Sequence, residues 1–257
     1  MMRSVLFFLM ILPASLLAQE PNGWSGKDVY IVPLETRMIR SQIDKELIAT
    51  TELEAEEYYQ SLSDALTLGL MNELGSLCNT RISSIHDTLM ETPALPYIYR
   101  HIGYEYTPVE EKKEEEDRKL RLPFGRKKEE QSEDPGARIR NGEVVAQVDN
   151  REKFMRTVPT RDELLKEICN GLNVDRVFFI SELDLSMVIP SDNQGIMDRC
   201  ITLHFTVLEK SGKKVVAGKI RHYYASAYGD YENVVDKEFP ALIEALVKKI
   251  SFVGASH

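Results

Sequence analysis

The chain has 257 residues, of which 43% are hydrophobic and 28% are charged, and its formal net charge is -9 at pH 7. This hydrophobic share is close to the norm for globular proteins, so a packed core is expected. The acidic balance argues against a nucleic-acid-binding protein, which would need a clustered basic face.

The first 18 residues have the features of a secretory signal peptide. Arg3 lies at a basic start, an apolar run follows from Val5 to Leu12, and Ala18 is a small residue at the expected cleavage point. An uncleaved membrane anchor is the alternative, but the apolar run is shorter than the roughly 20 residues that span a bilayer. We therefore expect an exported protein, periplasmic or extracellular, with no integral membrane span after cleavage.

Residues 19–257 are predicted to form a single domain that begins with a strand and a helix. The β-branched and aromatic run Asp28–Leu34 predicts a buried strand. Thr51 and Glu54 form a capping-box pattern that predicts a helix start. The helix that follows carries one apolar stripe at four-residue spacing: Leu62, Leu66, Leu70 and Leu74.

Between Pro93 and Pro108 the chain is rich in tyrosines that alternate around Gly103. The alternation predicts a hairpin or an extended edge segment that carries Tyr97, Tyr99, Tyr104 and Tyr106. Tyrosine gives a large contact area at low entropy cost, so these four residues are candidate binding residues for a protein partner or a sugar. The alternative is that they pack a loop onto the sheet.

Residues 109–141 are dominated by mixed-charge runs, of which 110–119 is the longest. Such a segment cannot bury enough apolar surface to offset the entropy of ordering, which predicts a charged, largely disordered insertion. A solvated helix over 110–120 and a segment that orders on contact with a partner are the alternatives.

The second half of the domain predicts a helix and a three-stranded meander. Thr160 and Glu163 form a second capping box, and Gly171 is placed to end that helix. The three strands are expected at Arg176–Val188, Ile201–Leu208 and Val215–Tyr224, with a tight turn at Ser211-Gly212 between the last two.

The turn sets a register that separates an apolar from a polar sheet face. Phe205 is expected opposite Gly218, and His204 opposite Lys219. A last amphipathic helix should start near Asp236, because Pro240 is tolerated only in a first turn. The predicted fold class is therefore α/β (α+β), a two-layer domain. Its mixed sheet ends in the antiparallel meander, and about three helices pack mainly on one face.

The side chains most able to take part in catalysis or metal binding are predicted on the polar face. They are Glu182, Asp184, Thr202, His204, Lys219 and Arg221. Two carboxylates beside a histidine suit proton transfer or metal binding, so Glu182, Asp184 and His204 are weak catalytic candidates. The alternative is a solvated sheet face with charges of both signs.

No other motif points to catalysis. Gly-x-Ser-x-Gly, Gly-x-Gly-x-x-Gly and the Walker pattern are all absent from the sequence. Cys78, Cys169 and Cys200 are too far apart for a zinc-ligand pattern, and they predict either three buried thiols or one disulfide with a free thiol. No cofactor and no metal are predicted.

The order of elements resembles the small domain shared by the TolB amino-terminal, LpoB and CsgG group of bacterial envelope proteins. The residues that carry it are the strand Val29–Pro33, the Leu-rich helix, and the meander that turns at Ser211-Gly212-Lys213. It covers the mature chain except residues 93–141.

The resemblance implies a non-enzymatic domain that binds an envelope protein partner. The insertion departs from the family pattern, so no functional residues are carried over. A hydrolase with its site on the polar face and a structural subunit of a larger assembly are the alternatives. The sequence leaves the oligomeric state open.

Overall fold

A computed structural model of the chain describes residues 23–84, 86–109, 138–140, 143–145, 151–189 and 196–253. Of residues 138–140, 143–145 and 252–253 it describes the backbone alone. The predicted signal peptide and most of the charged insertion lie outside the described residues. The last residues of the predicted insertion, Arg138–Arg140, form a strand that pairs with Glu143–Val145.

The strands of the described residues are β1 Asp28–Val32, β2 Ile39–Ser41, β3 Asn79–Ile82, β4 Thr88–Leu89, β5 Thr92–Pro93, β6 Ile102–Pro108, β7 Arg138–Arg140, β8 Glu143–Val145, β9 Lys153–Pro159, β10 Arg176–Met187, β11 Arg199–Glu209 and β12 Lys214–Tyr224. The α-helices are α1 Asp44–Ile48, α2 Ala55–Leu74, α3 Ala94–Arg100, α4 Leu164–Leu172, α5 Tyr231–Asn233 and α6 Phe239–Val253.

One mixed sheet has the strand order β12-β11-β10-β1-β3, and β2 pairs with the second half of β10. β1 runs parallel to β10 and to β3, whereas β10, β11 and β12 form the antiparallel meander. Phe205 lies opposite Gly218 and His204 opposite Lys219, as predicted. Next to the turn the pairing shifts by one residue, between Val207 and Leu208, so the predicted pairing is wrong there.

A β-bulge in β10 sets which side chains face each side of the sheet. The pairing with β11 shifts between Ile180 and Glu182, so Ser181 is an extra residue. Two successive side chains, Ser181 and Glu182, therefore share the polar face, and Leu183 returns to the apolar core. The bulge explains why the positions that face the larger core change phase within one strand, from Phe178 and Ile180 before it to Leu183 and Leu185 after it.

The larger core lies between one sheet face and the helices α2 and α6. The predicted leucine stripe of α2 is fully buried there, which confirms its orientation. The two helices approach closely at Gly69, where an added Cβ would lie 2.6 Å from Cδ1 of Ile243. From α6 this core receives Phe239, Leu242, Ile243, Leu246, Val247 and Ile250.

A smaller core lies on the opposite face, under α3 and α4. Leu164, Leu165 and Ile168 of α4 pack there against Val177 and Phe179 of the sheet. The predicted fold class is therefore confirmed: a mixed α+β sheet with a meander and its long helices on one face. The two shorter helices cover part of the other face.

The first predicted capping box is wrong in position, and the second does not form. The box of α2 lies three residues later, where the Glu57 side chain accepts from the backbone N–H of Glu54 at 3.4 Å, and Thr51 instead accepts from Leu53 N. Thr160 donates its hydroxyl to the carbonyl of His101. The left-handed residue after α4 is Asn173 rather than Gly171. A capping pattern read locally has several equivalent placements, and tertiary contacts select one.

The helical run that ends in α6 begins earlier than predicted, at Tyr231, and Pro240 lies within that run. Asp230 caps α5, since its Oδ1 accepts from Asn233 N at 2.8 Å, and a π-helical turn over Val234–Glu238 joins α5 to α6. A π turn contains one extra residue and shifts the backbone hydrogen-bond pattern, so the helix can continue through a proline, which has no N–H to donate. Proline in a helix therefore marks the π turn here and not the helix start.

The tyrosine segment is not a continuous extended segment. Tyr97 and Tyr99 lie on α3, and Tyr104 and Tyr106 lie on β6, which pairs with β9. The period-2 spacing of the first two tyrosines was wrong as a strand signal, because it occurs within a short helix. We call the β6 and β9 pair the β6–β9 ribbon.

Cys78, Cys169 and Cys200 are all free and buried, which confirms the prediction of three buried thiols and makes the disulfide alternative wrong. Burial raises the pKa of Cys78 and of Cys169 to about 11, so neither is a thiolate at neutral pH. In the part of the chain that the structure describes, no helix is long and apolar enough to cross a membrane.

Candidate functional site

The meander brings the predicted polar residues together on one face. Glu182 pairs across the strands with His204, and Asp184 pairs with Thr202. On the far side of β11, His204 pairs with Lys219 and Thr202 with Arg221. The residues that the sequence placed on the polar face are therefore neighbours in the structure.

The β6–β9 ribbon covers part of this face. One edge of β9 pairs with β6, and two N–H groups of its other edge donate to side chains of β11: Met155 N to Nδ1 of His204 at 2.7 Å, and Thr157 N to Oγ1 of Thr206 at 3.0 Å. Buried backbone donors need such partners. The polar side chains buried on this face are Ser181, Glu182, Thr202, His204 and Thr206. The prediction of a solvated face is therefore wrong for these residues.

Glu182 is buried but has charged and polar partners. Arg40 places Nε 2.8 Å from Oε1 of Glu182, and the Tyr106 hydroxyl donates to the carboxylate at 3.0 Å. Burial by itself raises the pKa of Glu182, but the neighbouring His204 ring, the Tyr106 hydroxyl and the Arg40 charge together hold it below its usual value. Glu182 is therefore an ionised, bonded carboxylate.

His204 is committed to β9 through Nδ1. That atom lies 2.7 Å from the backbone nitrogen of Met155 and 3.2 Å from Oε2 of Glu182. An imidazole nitrogen either accepts or donates, so only one of these bonds forms at a time. Since the Met155 N–H can only donate, Nδ1 accepts in the bond to Met155, whereas it must carry the proton in the bond to Glu182. In either state Nδ1 is engaged within the domain.

Asp184 and the basic residues lie at the more open end of the face. Burial and the neighbouring Glu182 charge raise the pKa of Asp184. Lys219 donates to the carbonyl of Lys153 at 2.7 Å, and Glu152 pairs with both Lys219 and Arg221 at 2.9 and 2.6 Å. These contacts fix the start of β9 to β12.

An active site needs a base or nucleophile with a free lone pair beside space for a substrate. Glu182 and His204 instead bond to Arg40, Tyr106 and Met155. Among the residues that the structure describes, no group of three or more His, Cys, Asp or Glu side chains is placed to hold a metal ion. The geometry favours a structural role for this cluster, and a catalytic role for Glu182, Asp184 and His204 stays a prediction.

The four candidate tyrosines anchor their segment to the rest of the domain. Each hydroxyl donates a hydrogen bond: Tyr97 to Glu167, Tyr99 to the Pro33 carbonyl, Tyr104 to Glu35 and Tyr106 to Glu182. Only Tyr106 among these four is exposed, at 46%. Packing is thus the role that the contacts show, and partner binding by these residues stays a prediction.

An apolar surface that the sequence reading missed lies where β10 ends and β11 begins. Ile189 is 92% exposed and Ile196 is 77% exposed. Asp198 accepts from Ser226 N at 2.7 Å, which brings the following 3-10 turn to the same place. We call this surface the apolar end, and its exposed side chains are Met187, Ile189, Ile196, Met197 and Tyr228. The signal in the sequence was the set of apolar residues on both sides of residues 190–195.

Comparisons with known proteins leave the chain without a family. No protein-family model and no curated protein matches it. Among solved structures, it is similar to a hypothetical protein from Chlamydia trachomatis at 8% identity and a TM-score of 0.40, over 91% of this chain and 100% of that chain. So low a TM-score supports no argument, and the resemblance to the TolB, LpoB and CsgG group stays a prediction.

Proposed function

We propose that this chain is an exported, non-enzymatic accessory protein of the bacterial envelope that acts by contacting another envelope protein. The observation that carries the proposal is the apolar end. Exposed apolar side chains grouped at one end of a domain are typical of interaction sites. The clustered carboxylates and histidine, which would have supported an enzyme, are instead bonded within the domain.

The composition of the apolar end suits a protein partner. Met187 and Met197 are unbranched and adapt to an irregular apolar surface. Charged residues border the end, since Arg199 pairs with Glu46 at 2.9 Å and with Asp198 at 3.1 Å. An apolar centre with a polar rim is the usual composition of an interface. The partner should therefore offer an apolar surface edged by charge.

The proposal predicts that charge at the apolar end abolishes partner capture. The test variant is Ile189→Asp with Ile196→Asp, and the control is Leu68→Asp, which alters another exposed apolar residue, on α2. Tagged full-length protein is crosslinked in cells, and the proteins that co-purify from the envelope fraction are identified. We expect one reproducible partner with the wild type and the control, and its loss with the double variant, because an uncompensated buried charge is costly.

Two results would contradict the proposal. Equal capture by the double variant would place the contact elsewhere. Recovery of the wild-type protein only from the cytoplasm, with residues 1–18 intact, would exclude an envelope function. Thermal unfolding of all three purified proteins controls for loss of the fold.

A further inference from the structure

A basic cavity of about 400 Å³ lies at the other end of the sheet, where β1 and β10 begin. Its basic lining comes from four separate places in the chain: Lys27 before β1, Lys166 on α4, Arg176 at the start of β10, and Lys210 in the turn after β11. Four cations converge on one concavity in a chain whose net charge is -9. Like charges repel, so such a grouping calls for a compensating anion.

The two carboxylates in the lining are partly occupied by other donors. Asp175 accepts from the backbone N–H of Asp28 at 3.1 Å, and its contact with Lys27 is long, at 3.9 Å. Glu209 accepts from the Ser211 hydroxyl at 2.6 Å. A third carboxylate, Glu163, pairs with Lys166 at 3.3 Å, and the three together compensate the four cations only in part.

Arg176 is held rigidly and has unused bonding capacity. Its guanidinium lies over the ring of Trp24, 4.9 Å from the centroid, and Trp24 is itself fully buried and donates to the carbonyl of Ile250. In the described part of the chain, Nη1 of Arg176 is buried and has no hydrogen-bond partner. A buried donor without a partner is costly, and because Nη1 is closed to solvent, an anion in the cavity meets the other N–H groups of the guanidinium fork.

Lys210 is positioned by the backbone, because its N–H donates to the carbonyl of Asp175 at 3.3 Å. Its side chain is exposed beside the cavity. We propose that this cavity binds the phosphate group of a small phosphorylated ligand. A phosphate carries up to two negative charges and enough oxygens for the guanidinium fork and several ammonium groups at once. This inference does not depend on the function proposed above.

Calorimetric titration of the purified full-length protein tests the inference, with glycerol 3-phosphate as a soluble probe and phosphatidylglycerol vesicles as a lipid probe. The variants are Lys210→Gln and Arg176→Lys, the second of which keeps the charge but loses the fork. Lys213→Gln is the matched control, because Lys213 is an exposed lysine of the same turn that does not line the cavity.

We expect saturable binding of a phosphate probe that each of the two cavity variants weakens by about tenfold or more and that the control leaves unchanged. Binding of glycerol 3-phosphate would identify a soluble ligand, and binding of vesicles alone would identify a lipid headgroup. Either result supports the cavity if Lys210→Gln removes it. No saturable binding of either probe, or equal weakening by Lys213→Gln, would overturn the inference. Unfolding curves of each variant separate lost binding from lost fold.

Discussion

Glu182 and Asp184 are two residues apart on β10 and face the same side of the sheet, yet their pKa values shift in opposite directions. Glu182 has Arg40 and Tyr106 as direct partners. For Asp184, burial and the charge of Glu182 outweigh the more distant positive groups. The pair separates a carboxylate that stabilises the fold when ionised from one that costs stability when ionised.

We therefore expect Glu182→Gln and Asp184→Asn to change stability with opposite signs. The folded-state pKa of Glu182 is lowered, so its contribution is present at pH 7 and is lost as pH falls below about 4.5. Glu182→Gln should lower the free energy of unfolding at pH 7 by about 1–3 kcal/mol. The difference from the wild type should shrink in acid.

Asp184→Asn is the matched comparison. Because the folded-state pKa of Asp184 is raised, its ionised form is penalised in the folded protein at neutral pH, and protonation removes the penalty. Asp184→Asn should raise the free energy of unfolding at pH 7 and match the wild type below about pH 3.8. Urea unfolding at several pH values measures both variants. A shift of both in the same direction would contradict this account.

Sequence alternation could place these side chains on one face, since a strand has period 2 and the turn at Ser211-Gly212 fixed the register. It could not show that Met155 and Arg40 would bond to them. Those partners come from β9 and β2, far along the chain, and no local pattern encodes that contact. The sequence therefore predicted which side chains lie close together, but not which hydrogen bonds and ion pairs they form.

At the scale of elements, the outer edge of the β6–β9 ribbon bonds to side chains of β11. In a larger sheet, the backbone of another strand would accept those N–H groups. Two N–H groups of β9 end on His204 and Thr206, and the Thr157 hydroxyl bonds to Ser181 at 2.8 Å. An unpaired strand edge is a liability that proteins cover. Here the polar side chains of β11 provide that cover, which explains why polar residues occupy a buried face.

Thr206→Val should therefore destabilise the ribbon more than its small change in shape suggests. It removes the acceptor of the Thr157 N–H in a fully buried site, which costs about 1–3 kcal/mol in free energy of unfolding. Thr206→Ser keeps the hydroxyl and is the control. Urea unfolding gives the cost, and amide exchange at Thr157 locates it. Equal unfolding midpoints for the two variants would show that this bond contributes nothing.

Long periodic elements were predictable, and short irregular ones were not. The leucine stripe of α2 and the meander strands carry repeated signals, each of which agrees with the others. In contrast, α3 has seven residues, and its tyrosines imitate a strand at that length. Pro240 indicated a helix start on local grounds, but the π turn before it allows the helix to continue.

At the scale of the whole molecule, the apolar end and the basic cavity lie at opposite ends of β10. Arg176 opens that strand and Met187 closes it. Twelve residues of strand place them roughly 35 Å apart. A partner at the apolar end therefore leaves the cavity open, and the two proposals can be tested separately on one protein.

The fold class followed from the sequence because the meander and the amphipathic helices are local features whose packing choices are few. The second core under α3 and α4 and the ribbon over the polar face did not. Both are made of contacts between segments that the charged insertion separates in the chain, such as β6 and β9. The apolar end was also missed, because the exposure of its side chains depends on which other segments cover the ends of β10 and β11.

The most direct test of the central claim is site-specific photo-crosslinking in cells with a photoreactive residue at position 189. Position 56, an exposed residue near the start of α2, carries the same group in the control. We expect one crosslinked envelope protein from position 189 and none from position 56. No crosslink from position 189, or the same products from both positions, would contradict a protein-binding role for the apolar end.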